Sequence, residues 1–199
     1  MTGARTLTRS GLLRVAVGTG VAATVGASSI ARGASGPLAD LDLAQARLAV
    51  AVELLSIDFL SAAIESKQFA DGELRSLRRA RFNEGEHLVA VSEILSGAGQ
   101  TPTTADDFDF TFPAKSFETR QSIAELAVTL ETAAVGSYLG AVDAFTAPDL
   151  KTTAARIAAS EAGHLGFFSR IAYRRPIGIS FPAPLDYATA SAAIDPYLG

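Results

Sequence analysis

FNEGEHLVAV, residues 82–91, holds one of the two histidines of the chain, with two glutamates just ahead of it. On an α-helix, residues three apart lie about 60° from each other, whereas neighbours diverge by about 100°. Glu84 and His87 therefore aim at one point, and Glu86 turns toward solvent. Leu77, Glu84, His87, Leu88, Val91 and Leu95 fall on one stripe. A carboxylate is thus set into the apolar face of its helix, where a charge demands compensation.

The other histidine repeats the pattern. In SEAGHLGFF, residues 160–168, Glu161 precedes His164 by three. With ten glutamates in 199 residues, both histidines having one at that position by chance has odds of roughly one in four hundred.

Working outward, four helical stretches emerge. Residues 38–69 run without Gly or Pro, with apolar residues at intervals of three and four. ADG at 70–72 breaks that run, and a second helix spans about 73–96 up to GAG. A third covers about 116–145 and a fourth about 150–173, ending before RRPIG. Gly136 and Gly140 in the third helix and Gly163 and Gly166 in the fourth are expected at close helix–helix contacts. Between the second and third helices, AGQTPTTADDFDFTFPAK is too long for a tight turn. Its eighteen residues reach about 60 Å when extended, enough to run back along a bundle roughly 40 Å long. Phe108, Phe110 and Phe112 alternate there with Asp107, Asp109 and Thr111, as in an extended segment laying three rings on the bundle. The predicted fold is all-α: a four-helix bundle over 38–173, made of two antiparallel hairpins joined by a long crossover. Residues 174–199, with four prolines, form an irregular tail on the bundle with a short helix near 186–194.

The first and third helices each offer one inner carboxylate. Glu131 is flanked by Ala127, Ala134, Val135 and Tyr138, and Glu53 by Ala49, Val50, Ile57 and Leu60. Asp58, the rival on the first helix, points about 140° away from Glu53. From Glu53 to Glu84 is 31 residues and from Glu131 to Glu161 is 30, so each hairpin carries a lone Glu and then a Glu-x-x-His, at similar height in the bundle. This is a structural duplication about a two-fold axis.

Four carboxylates and two imidazoles converging from four helices make a di-iron or di-manganese carboxylate constellation. Four glutamates balance two divalent ions, and oxygen and imidazole donors suit iron or manganese. A single buried Glu–His pair is more often a core polar pair; the matched set of six argues for metal. A bundle that binds metal without chemistry is the intermediate reading. Tyr138 lies on the face of Glu131 two turns away, placed to hydrogen-bond a ligand, to pass an electron, or to serve as an interfacial core tyrosine.

Composition narrows the function. The chain has no cysteine, which excludes disulfides, thiolate metal sites and cysteine nucleophiles. It is mildly acidic without a basic run, so nucleic acid is not an expected partner. Both histidines are used by the constellation and no nucleophile motif stands near them, which excludes a hydrolase. The amphipathic stripes are bundle faces rather than membrane-binding surfaces.

The N-terminus reads differently. Residues 1–31 carry Arg5, Arg9 and Arg14 and no acid, followed by an apolar, small-residue stretch and small residues around Ser29, Ala31 and Gly33. This is the pattern of a secretory signal peptide, predicting export to periplasm, envelope or medium. TRSGLLR at 8–14 resembles the twin-arginine export motif with Ser10 in place of the second arginine. Cleavage after Ala31 removes three of seventeen basic residues and leaves net −7 against twenty-one acids.

NEGEHLVAVSEIL, DDFDFTFPAKSF, LETAAVGSYLGA and SEAGHLGFF together resemble the ferritin-like superfamily, and within it the exported, desiccation-related ferritin-like proteins, over residues 38–198. That group usually reads Leu-Glu-x-Leu-Glu then Phe-Tyr on the first helix. Here VELLSIDFL puts Ser56 and Leu60 where the second Glu and the Tyr would stand. The resemblance implies Glu53, Glu84, His87, Glu131, Glu161 and His164 as ligands of two iron or two manganese ions, iron slightly favoured, with Glu84 and Glu161 bridging. It implies no single reaction: members store iron, oxidise Fe²⁺ with O₂ or peroxide, dismutate peroxide, or oxidise organic substrates.

The leading expectation is an exported di-metal oxidoreductase acting on Fe²⁺, O₂ or H₂O₂. The alternative is a stress- or desiccation-related protective protein with a structural or vestigial metal. A large iron-storing cage is the third reading, and its shell would need subunit contacts that no sequence feature reveals; a homo-oligomer is compatible with the sequence.

Overall fold

The computed structural model describes residues 37–179 and 181–199; the signal-peptide reading of 1–31 lies outside the described residues. Four long helices, α1 (Asp40–Glu65), α2 (Asp71–Gly97), α3 (Arg120–Ala144) and α4 (Pro148–Tyr173), precede a short α5 (Tyr187–Ile194). Single 3₁₀ turns stand at Ala105–Asp107 and Asp195–Tyr197. No strand occurs among the described residues.

Helices α1 and α2 form one hairpin and α3 and α4 the other, and the pairs meet through α1 against α3 and α2 against α4. The side chains at the bundle ends fix the connectivity. At one end the Arg120 guanidinium, at the start of α3, grips Glu73 at the start of α2. At the other, Asp42 in the first turn of α1 accepts from the Thr146 backbone N–H at 3.0 Å and hydroxyl at 2.7 Å, just past the end of α3. The chain leaving α2 must therefore travel the length of the bundle before α3 begins. The all-α architecture with two hairpins and a long crossover is as the sequence predicts.

The crossover does what its alternation requires. Phe108, Phe110 and Phe112 are half-buried against the core while Asp107, Asp109 and Thr111 face water. Phe112 packs edge-on to Phe59 at 5.8 Å, and Phe59, wholly buried, meets Phe168 of α4 at 6.3 Å. Full burial of a ring such as Phe59 or Phe168 contributes roughly 1.5–3 kcal/mol. The C-terminal segment closes over the crossover: the Thr111 N–H donates to the Tyr197 carbonyl at 2.9 Å.

The helical glycines correct one expectation. At none of the four is another helix the nearest neighbour. A Cβ on Gly140 would fall 1.7 Å from the Leu185 carbonyl oxygen, and one on Gly136 2.7 Å from Leu185 Cγ. The Leu185 N–H also donates to the Gly136 carbonyl at 2.8 Å. These two glycines seat the tail's backbone on α3, not another helix. Gly166 faces the Pro176 carbonyl, and Gly163 has open space.

Candidate metal centre

The six residues singled out by spacing converge in the middle of the bundle. Glu53 comes from α1, Glu84 and His87 from α2, Glu131 from α3, and Glu161 and His164 from α4. The four glutamates and His164 are buried; His87 is 12% exposed at its side chain. Glu86 and Asp58, the discarded alternatives, are solvent-exposed.

Each Glu-x-x-His pair closes on itself as helix geometry dictates. His87 Nδ1 lies 3.1 Å from Glu84 Oε2, and His164 Nδ1 lies 3.2 Å from Glu161 Oε2. Each imidazole also reaches across to the other motif: His87 Nδ1 to Glu161 Oε1 at 2.9 Å, and His164 Nδ1 to Glu84 Oε1 at 2.9 Å. Glu53 Oε2 stands 3.5 Å from His87 Nδ1, and Glu131 Oε2 stands 4.0 Å from His164 Nδ1.

Two overlapping donor sets result: Glu53, Glu84, His87 and Glu161; and Glu84, Glu131, Glu161 and His164. Within each, one atom from every residue lies within 4.8 Å of the others. Glu84 and Glu161 belong to both sets, while Glu53 with His87 and Glu131 with His164 occupy opposite halves. The pseudo-two-fold of the sequence is visible in space.

Hydrogen bonds alone do not satisfy this cluster. One imidazole N–H has one proton, yet each Nδ1 faces three carboxylate oxygens within 4.0 Å. Glu53 Oε2, Glu84 Oε1, Glu131 Oε2 and Glu161 Oε1 are fully buried without a hydrogen-bond partner. The two 2.9 Å approaches to Glu84 and Glu161 are close enough for attraction but misdirected for hydrogen bonding. An orphaned buried acceptor costs about 1–3 kcal/mol, and each glutamate carries one. A pair of oxygen-seeking cations fits this donor set, with lone pairs aimed inward from all four helices.

Protonation follows the same crowding. Burial, then the charges of Glu161 and Glu84, raises Glu131 well above the usual carboxylate range. Burial raises Glu53 as well, against the opposing pull of the nearby His87 imidazole. Burial works against charging the imidazoles, but the surrounding carboxylates outweigh it and push His87 up to about 12 and His164 to about 9. Burial likewise opposes ionisation of Glu161, yet His164 and His87 hold it down to about 2.

Two neighbours complete the centre. The Tyr138 hydroxyl of α3 donates to Glu53 Oε1 across the bundle, and burial with the Glu53 charge raises it well above an ordinary phenol. Tyr138 is buried in the core and also bonds Glu53, so its position fits both an interfacial core tyrosine and a contact with a candidate ligand. Asn83, which the sequence reading passed over, lies with its side-chain amide 3.2 Å from His164 Nε2. When Nδ1 is a ligand, Nε2 carries the proton, and the amide accepts it through its oxygen after a half-turn. Its position one residue before Glu84 was legible, but its facing α4 was not, since that depends on how two helices pack.

A family model described as a ferritin-like domain matches residues 40–174. Comparison with curated proteins finds no match. The matched span takes in all four long helices and all six converging side chains. The chain belongs to the ferritin-like domain family.

Proposed function

We propose that the protein is an exported di-metal oxidoreductase, binding two iron or manganese ions and acting on Fe²⁺, O₂ or H₂O₂. The observation that carries this reading is the set of four buried glutamate oxygens without partners, distributed over two donor sets that share Glu84 and Glu161. Glu53 and His87 would hold one ion, Glu131 and His164 the other, and Glu84 and Glu161 would bridge. Bound there, the metals would supply redox change and polarisation of a small oxygen species.

The protein's own residues have defined work. His87 and His164 give up Nδ1 protons to become ligands, and Glu53 and Glu131 would bind as carboxylates, against the upward pull of their burial. Asn83 fixes the ring of His164, and Tyr138 fixes one oxygen of Glu53, leaving the other facing His87. Leu60 is wholly buried where the desiccation-related group that the sequence resembles has a tyrosine, so this part of the shell around the centre is apolar. Export rests on the arginines and apolar stretch of residues 1–31.

That same Leu60, with Ser56 beside it, favours the second reading: a stress-protective protein whose metal is structural. The two are separated by loading the protein with iron or manganese and following O₂ uptake, peroxide consumption and Fe²⁺ oxidation. Turnover by wild type that is abolished in Glu84→Ala/Glu161→Ala supports the oxidoreductase. Bound metal without turnover of any of the three contradicts it and leaves the structural role.

A further inference from the structure

An open groove of about 390 Å³ lies between α2 and α4 and ends at the His164 half of the centre. Arg75, Ser76, Arg79 and Asn83 line it from α2, and His164 and Phe167 from α4. It is far larger than O₂ or peroxide require: its volume equals that of roughly a dozen water molecules.

The charge of the groove is one-sided. Two arginines line it, and no acidic residue among the described residues does. Arg79 is braced over the Phe82 ring at 5.0 Å, and Arg170 lies 5.8 Å over Phe167 at the same wall. The nearby acid, Glu73, is engaged by Arg120, whose hydrogen bond holds it below the usual carboxylate range. A bare divalent cation is repelled by such a wall; an oxyanion is attracted and matched by the planar forks of arginine.

The other half of the molecule does not repeat this feature. Glu84 to Glu161 and His87 to His164 are both steps of 77 residues. The same step carries Gly72, Arg75, Arg79 and Asn83 to Asp149, Thr152, Arg156 and Ser160. The duplicated positions thus hold one positive and one negative charge where the groove has two positive ones. The ligand positions keep the two-fold, while these surface positions break it on one side.

We infer that this groove binds a small molecule bearing a carboxylate or phosphate, held by Arg75 and Arg79, with its other end toward Asn83 and His164. The inference deepens the reading of His164 as a metal ligand and rests on it for the groove's role: the centre is served on this side by an anionic substrate or effector rather than by free Fe²⁺.

The test is calorimetric titration of the purified full chain, metal-free and at low salt, with acetate, succinate and inorganic phosphate as separate probes. At least one probe is expected to bind wild type and Arg156→Gln alike. Its affinity should fall about tenfold or more in Arg75→Gln/Arg79→Gln, and less in Arg75→Lys/Arg79→Lys, which keeps the charge without the fork. Preference for succinate over phosphate, or the reverse, names the anion class. Helical content by circular dichroism confirms that the exposed substitutions leave the fold intact. Equal binding by wild type and the double Gln variant, or no binding of any probe at about 10 mM, overturns the inference. Metal content of the same preparations is read separately, so failure of the metal reading shows there and not in the titration.

Discussion

Glu131 illustrates how a single residue serves the centre at a cost to the fold. It is buried, raised by burial and by the charges of Glu161 and Glu84, and one of its oxygens has no partner. Glu131→Gln removes the carboxylate and supplies an amide N–H for its neighbours. The metal-free variant should be more stable than wild type by about 1 kcal/mol, yet retain about one metal rather than two. Denaturation and metal analysis of the same sample check both halves; an unchanged metal count would remove Glu131 from the ligand set. Proton linkage is a second consequence at this scale. His164 at about 9 and His87 at about 12 both hold protons at neutral pH, and Glu53 and Glu131 are shifted in the same upward direction. Ligation must displace these protons, so metal affinity rises as pH increases from about 6 to 9, with net proton release. Calorimetry in buffers of differing ionisation enthalpy measures that release, and a pH-independent affinity would contradict it. Both Glu-x-x-His pairs were legible because helical spacing alone puts them on one face. Asn83 was not, because its partner is 81 residues away on another helix.

At the level of elements, helix identity followed from periodicity, and GAG marked the end of α2, while the end of α1 and the start of α3 followed from local conformations that no breaker residue announces. The first run was expected to continue to 69, but α1 stops at Glu65, and Lys67 then takes a left-handed φ of 59°. The third was expected from 116, but Lys115 at φ 69° and the Thr119–Ser122 capping box delay α3 to Arg120. Lysine carries no sequence signal for such a turn. The glycines of α3 and α4 were visible as exceptions, though what they accommodate was not. Their consequences differ. Gly140→Ala drives a Cβ into the Leu185 backbone and should cost about 1–3 kcal/mol, freeing the tail to early proteolysis. Gly163→Ala meets nothing within 4 Å and should stabilise the helix by roughly 0.5–1 kcal/mol. Chemical denaturation of the two variants checks the contrast; similar effects from both would refute the seating of the tail on α3.

In the molecule as a whole, the duplicated hairpins place six donors at one height, and the crossover restores the direction that lets α3 and α4 complete the set. Four helices converge on one cluster, so bound metal clamps all of them. At free metal one hundredfold above the dissociation constant, each site adds about 2.7 kcal/mol, and loading should raise the melting temperature in wild type but not in Glu84→Ala/Glu161→Ala. The most direct measurement is elemental analysis by mass spectrometry of the chain purified from its own compartment, beside that double variant. About two iron or manganese ions per chain are expected in wild type and none in the variant. No metal in wild type, even after attempted reloading, would contradict this and return Glu84, His87 and their partners to the role of core polar groups.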